Sequence, residues 1–313
     1  MSTTTPPEPG TPSTPGMDGT PGGAPNTSGG PSTGLRGLAA RHPLAAFLVP
    51  ALIIGWVAVG VPAALGVDYS PFLLVVVFLG LLAPALLVTR VVDGPSGVRR
   101  LLSRAVQWRF SPLRWAVVLL GVPVLTLAFA AASGTLISPE DGWPTMAGWY
   151  LFNTLIFGAL ILNVWEETAW AGFVQTRFQA QRGFLAGVLF TAAFFAAIHL
   201  PLYAADAGSW SELGVNLAVL FGLVPVYRWL IGMHLLDTRG SVLAAGVQHA
   251  SWNASGDLEA VDGAWQPMAA VVLLTVLVAL ARTASRRRSG AVGGDADRLA
   301  AAAWLGHARA PVE

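Results

Sequence analysis

Glu166 and Glu167 stand side by side in Asn163-Val-Trp-Glu-Glu-Thr-Ala-Trp-Ala-Gly172, inside a run that otherwise reads as membrane-spanning. An ionised side chain in hydrocarbon costs about 2.5 kcal/mol or more, so such residues carry a functional hypothesis by default. Two further polar clusters fall in apolar runs: Phe195-Ala-Ala-Ile-His199 and His249-Ala-Ser-Trp-Asn253. Residues four apart share a helix face. His249 therefore points with Asn253, His199 with Phe195, and Glu166 with Trp170 and Asn163. Glu167 is turned about 100° from Glu166, so the two acids meet different partners.

Two histidines, a carboxylate and an amide can hydrolyse a peptide bond in two ways. In one, Glu166 with His199 takes a proton from water, and His249 and Asn253 donate hydrogen bonds to the developing oxyanion. In the other, His199, His249 and Glu166 bind zinc, with an open position for water. The compact His-Glu-x-x-His motif is absent, and sequence does not choose between the schemes. Each cluster alone also suits a structural role, as hydrogen-bonded glue between helices. His234 has no spaced partner and reads as structural; His42 and His307 lie in or near the tails.

The elements that must position these groups are membrane helices. The chain is 54% hydrophobic and 11% charged, with mean hydropathy +0.60, against roughly 25% charge in soluble domains. All 18 basic residues are Arg, and the net charge of +1 excludes a strongly basic nucleic-acid binder. The absence of Cys excludes disulfides, thiolate metal sites and a cysteine nucleophile.

Eight runs approach the roughly 20 residues a spanning helix needs: Leu44–Gly66, Pro71–Thr89, Leu113–Ile137, Met146–Thr176, Phe184–Tyr203, Leu213–Leu236, Ser241–Ser255 and Pro267–Ala281. The seventh is short and partly polar. The fold class expected is an all-α polytopic bundle over residues 41–284, with a protease-like core at 146–256. A Pro/Gly/Ser/Thr-rich tail over 1–40 is too polar to bury a core, and a cytoplasmic tail covers 285–313. No secretory signal pattern precedes the first span, which is expected to insert the chain.

Arg alternates between connections. Arg36 and Arg41 precede span one, Arg90 to Arg114 join spans two and three, Arg177 and Arg182 follow span four, Arg228 and Arg239 lie around the end of span six, and Arg282 to Arg288 follow span eight. The intervening connections carry Asp68, Glu140, Asp141, Asp206, Glu212, Asp257, Glu259 and Asp262, and no Arg. By the positive-inside rule both termini are cytoplasmic in a bacterial inner membrane. Gly97–Phe110 suits a helix lying in the cytoplasmic interface, with Leu101, Leu102, Val106 and Trp108 toward the lipid. Trp143, Trp149, Trp210 and Trp265 fall at span ends, where interfacial anchors belong.

Glu-Glu-x-x-x-Arg, Phe-x-x-x-His and His-x-x-x-Asn/Asp, in that order on separate spans, form the pattern of the CAAX-protease and bacteriocin-processing (Abi) family of intramembrane endopeptidases. This chain resembles that family from about Met146 to Gly256, on Glu166, Glu167, Trp170, Gly172, Phe195, His199, His249 and Asn253. The resemblance implies a helical bundle with its active site in a cavity open to the cytoplasm. It also implies that Glu166 and His199 activate water, that His249 and Asn253 stabilise the oxyanion, and that the substrate is a membrane-associated peptide or protein. One position departs: Ala171 stands where the family has Arg. Glu167 then needs another partner or stays protonated, and Arg177 is too far along the helix to substitute simply. A binding or immunity protein that does not cut is the alternative this departure raises. A proton-coupled transporter is a third reading, without the paired repeats such folds show.

Overall fold

The structure, a computed structural model, describes residues 1–2, 34–289 and 293–306. Most of the tail expected to be unstructured, and His307, lie outside the described residues. Among those residues the fold is helical, with one isolated bridge between Leu136 and Val261. A short α1 (Leu35–Arg41) leads into α2 (Pro43–Ala64) and α3 (Ser70–Val92). Then follow α4 (Gly94–Ala105), α5 (Pro112–Ser133), α6 (Trp143–Arg182), α7 (Phe184–Ala205) and α8 (Trp210–Asp237). The bundle closes with α9 (Val242–Gly256), α10 (Trp265–Ser289) and α11 (Gly293–Leu305).

Local chemistry sets the boundaries. Ser111, Ser209 and Ser241 cap α5, α8 and α9 by accepting the backbone N–H of Arg114, Glu212 and Ala244. Pro43 and Pro112 occupy the first turns of α2 and α5, where no N–H is needed. Gly183, at φ 85°, makes the tight turn between α6 and α7.

Among the described residues seven helices (α2, α3, α5, α6, α7, α8 and α10) are long and apolar enough to cross a membrane. The eighth expected span forms as α9, whose 15 residues reach only about 22 Å at 1.5 Å per residue. α9 is instead buried inside the bundle. A Cβ on Gly246 would lie 2.7 Å from Val164 Cα, so α9 meets α6 backbone to backbone. Trp143, Trp149, Trp210 and Trp265 are all exposed near helix starts, as expected of anchors.

α4 covers part of the amphipathic stretch, and its apolar face is narrower than expected. Leu101 is buried, but Val106 and Trp108 lie past the helix and are exposed. Arg104 turns inward instead. It donates to the carbonyls of Gly240 (2.7 Å) and Gly172 (3.2 Å) and to Thr176 Oγ1 (3.1 Å). Burial, reinforced by nearby Arg177, pulls its pKa down to about 9, so the guanidinium stays charged at neutral pH. The α11 side chain Trp304 packs over Arg104 at 5.1 Å and against Gly240. At the opposite end Tyr69 donates to the Asp206 carboxylate, tying the α2–α3 turn to the end of α7. That bond is the main cause pushing the Tyr69 phenol up to about 12.

Candidate functional site

α6 is not uniformly α-helical. Wider π turns at Asn153–Asn163 and Thr168–Gln175 flank one α turn, Val164–Glu167. Such distortions recur at functional sites because they re-aim side chains. The α turn presents Glu166 to a cavity of about 310 Å³ that is also lined by His199 of α7 and by His249 and Asn253 of α9. The spacing of the three motifs thus brings four of the five expected residues onto one cavity.

Glu166 and His199 lie at similar depth in the bundle. α6 runs on to Arg182 and α7 begins at Phe184. Counted from the turn between them, Glu166 and His199 both lie about 22–24 Å along their helices at 1.5 Å per residue.

Hydrogen bonds set the orientation of each group. Asn163 Nδ2 donates weakly to Glu166 Oε2 at 3.4 Å. His199 Nδ1 lies 2.6 Å from the Phe195 carbonyl. A carbonyl only accepts, so Nδ1 carries the proton and a neutral His199 keeps its Nε2 lone pair free. Phe195 stands between the histidines, its ring centroid 4.5 Å from His199 and 5.8 Å from His249. His249 Nδ1 lies 3.1 Å from Glu167 Oε1 and 3.9 Å from Glu166 Oε2. Its Nδ1–H therefore faces carboxylates, and Nε2 is the ring nitrogen left over.

Glu167 sits behind His249, fully buried and outside the cavity lining. Its partner is Arg228 of α8, whose Nη1 lies 2.8 Å and 2.9 Å from the two carboxylate oxygens. The other side of the guanidinium is held by Gln175 Oε1, at 3.0 Å from Nε and 2.6 Å from Nη2. Gln175 Nε2 in turn donates to the Arg228 carbonyl at 3.0 Å. Each charge is thus paired and hydrogen-bonded, the condition under which burial is tolerated.

Arg228 is the site residue that sequence reasoning missed. It counted there only as one more cytoplasmic-side charge. The available signal was the unmet need at Ala171, coupled with an arginine well inside a span. Ala171 belongs to the same buried apolar cluster as Tyr227, Leu230 and Ile231. Its small side chain lies where α8 approaches α6. Arg177, by contrast, pairs with Asp93 and stacks on Phe173 at 3.8 Å, away from Glu167. His234 Nε2 donates to Gln248 Oε1 at 3.1 Å, and the ring is buried in the core, away from the cavity that Glu166 lines.

Among the described residues no three His, Asp or Glu side chains converge so as to hold a metal ion. The Nδ1 contacts of His199 and His249 leave Nε2 as the outward nitrogen of each ring, which is also how a zinc-ligating histidine is held; what the three-ligand scheme lacks is convergence of His199, His249 and Glu166 on one point. The geometry suits an acid–base pair and an amide facing one shared cavity.

No curated protein matches the chain. A family model does match residues 147–255, about a third of the sequence: the stretch that carries Glu166, Glu167, His199, His249 and Asn253 is similar to the Rce1-like type II CAAX prenyl endopeptidases, a family of the CAAX-protease type.

Proposed function

We propose that this protein is an intramembrane endopeptidase that hydrolyses a peptide bond in a membrane-associated peptide or protein. The observation that carries the reading is the meeting of Glu166, His199, His249 and Asn253 on one cavity inside a membrane bundle. The family match over the same stretch supports it.

Glu166 accepts a proton from water, while His199 Nε2 accepts the second O–H and aims the oxygen lone pair at the scissile carbonyl. Attack forms a tetrahedral oxyanion. Asn253 Nδ2 donates to that oxygen. His249 donates through Nε2 when both ring nitrogens are protonated, since Nδ1 already faces Glu167. Collapse breaks the C–N bond, and protonated Glu166 returns its proton to the leaving amine. Glu167 and Arg228 are positioning residues: they hold the His249 ring and never touch the substrate. The lipid bilayer places substrate and site at one depth, in a bacterial inner membrane with both termini cytoplasmic.

The pairing of Glu167 with Arg228 answers the departure at Ala171 that favours a binding-only protein. The test is comparative sequencing of membrane-protein termini in cells carrying the wild type or Glu166→Gln. New termini present only with the wild type are expected. Identical termini in both cells would overturn the reading.

A further inference from the structure

The cavity has an open side and a closed side. On the side of the Arg-rich connections, Gln175, Arg228, Arg104 and the Arg177–Asp93 pair form a buried polar layer. Gln175, Arg228, Arg104 and Arg177 are each no more than 6% exposed. Their hydrogen bonds cross-link α4, α6, α8 and the α8–α9 turn. A chain segment entering there would have to break several charge-assisted bonds in a low-dielectric interior.

The cavity extends the other way. From Glu166 and His199 it runs to Leu202 and Tyr203 near the end of α7 and to Leu73 near the start of α3. A second cavity of about 290 Å³ shares Tyr203, Trp252 and Asn253 with it and reaches Ala264 and Pro267 beside the α9–α10 connection. Both therefore lead to the end whose connections carry Asp68, Asp206, Asp257 and Glu259 and no Arg. By the positive-inside rule that end is non-cytoplasmic.

We infer that water and the scissile segment reach the site from the non-cytoplasmic face. This is opposite to the cytoplasmic opening that the family resemblance implies. The substrate class is then a membrane-anchored polypeptide whose cleavage site lies in the outer half of the bilayer. Basic residues on its outer flank would complement the acidic connections. Calling the passage a substrate route rests on the endopeptidase reading; its sidedness does not.

The natural absence of Cys makes the test direct. Single-cysteine variants Leu202→Cys and Tyr203→Cys are labelled with a membrane-impermeant maleimide in right-side-out and inverted vesicles. Gln181→Cys marks the arginine side and Asp141→Cys the opposite side. Labelling of the first two with Asp141→Cys, in right-side-out vesicles, is expected. Labelling with Gln181→Cys, or from neither face, overturns the inference. Two variants at adjacent positions guard against misfolding of one, and neither readout needs catalysis. Loss of Glu166-dependent cleavage would therefore leave the sidedness result standing.

Discussion

Replacing Arg228 by Leu removes the only guanidinium within reach of Glu167 among the interactions described, at a site where both side chains are fully buried. The remaining partner of the carboxylate is His249. Breaking a buried pair by removing one partner costs about 3–5 kcal/mol, because the other charge is left uncompensated. Gln175 also loses two hydrogen bonds from Arg228. At about 2–4 °C per kcal/mol, the expected fall in melting temperature is roughly 6–20 °C. The assay is thermal unfolding of detergent-purified protein followed by size-exclusion recovery. Arg228→Leu combined with Glu167→Gln removes both charges and is expected to recover most of the loss. Arg228→Leu with Ala171→Arg places a guanidinium four residues from Glu167 on α6 and is expected to recover part of it. Turnover should follow the same order, since His249 depends on Glu167 for its orientation. A loss below about 1 kcal/mol in the single variant, the range of an exposed pair, would refute the argument that Arg228 holds Glu167. So would a double variant as unstable as the sum of its parts.

Three further outcomes are expected. Glu166→Gln lowers turnover by at least about 10²-fold, the lower range for a lost general base, with an unchanged melting temperature; rate and melting measurements on one preparation check both. Asn253→Ala costs roughly 10²–10³-fold in kcat, as for a single oxyanion donor, with KM little changed in steady-state kinetics. Gly246→Ala puts a Cβ within 2.7 Å of Val164 Cα and 2.9 Å of Val164 N, backbone atoms that no rotamer change relieves. Overpacking there costs about 1–3 kcal/mol and pushes α9 away from α6, so a loss of both stability and turnover is expected.

Much of the bundle was legible because hydropathy and arginine placement are signals each residue carries alone. They identify the seven long spans, and they also mark α9, but as an eighth span and not as the short helix buried inside the bundle. The motif spacing also carried information, since residues four apart share a face whatever the helix packs against. Glu166, His199, His249 and Asn253 therefore line one cavity. What sequence could not show are relations between helices. Arg228 and Glu167 are 61 positions apart, and no local rule pairs them. The π turns that flank Glu166 carry no residue pattern that a sequence reading could use. Arg104 fell within Gly97–Phe110, read as an interfacial helix from the apolar side at Leu101, Leu102, Val106 and Trp108. Its burial depends on the carbonyls of Gly240 and Gly172, on two other elements. Nor does any local signal show that the Gly183 turn, with α6 running to Arg182, brings Glu166 level with His199.

The central claim is that Glu166 activates water to cut a peptide bond. The most direct measurement is single-turnover cleavage, in proteoliposomes prepared in ¹⁸O-labelled water, of a bond that depends on Glu166 in cells. The account predicts one ¹⁸O in the new C-terminal carboxyl of the wild-type product and loss of that product with Glu166→Gln. Cleavage by Glu166→Gln at the wild-type rate, or a product without the label, would contradict it.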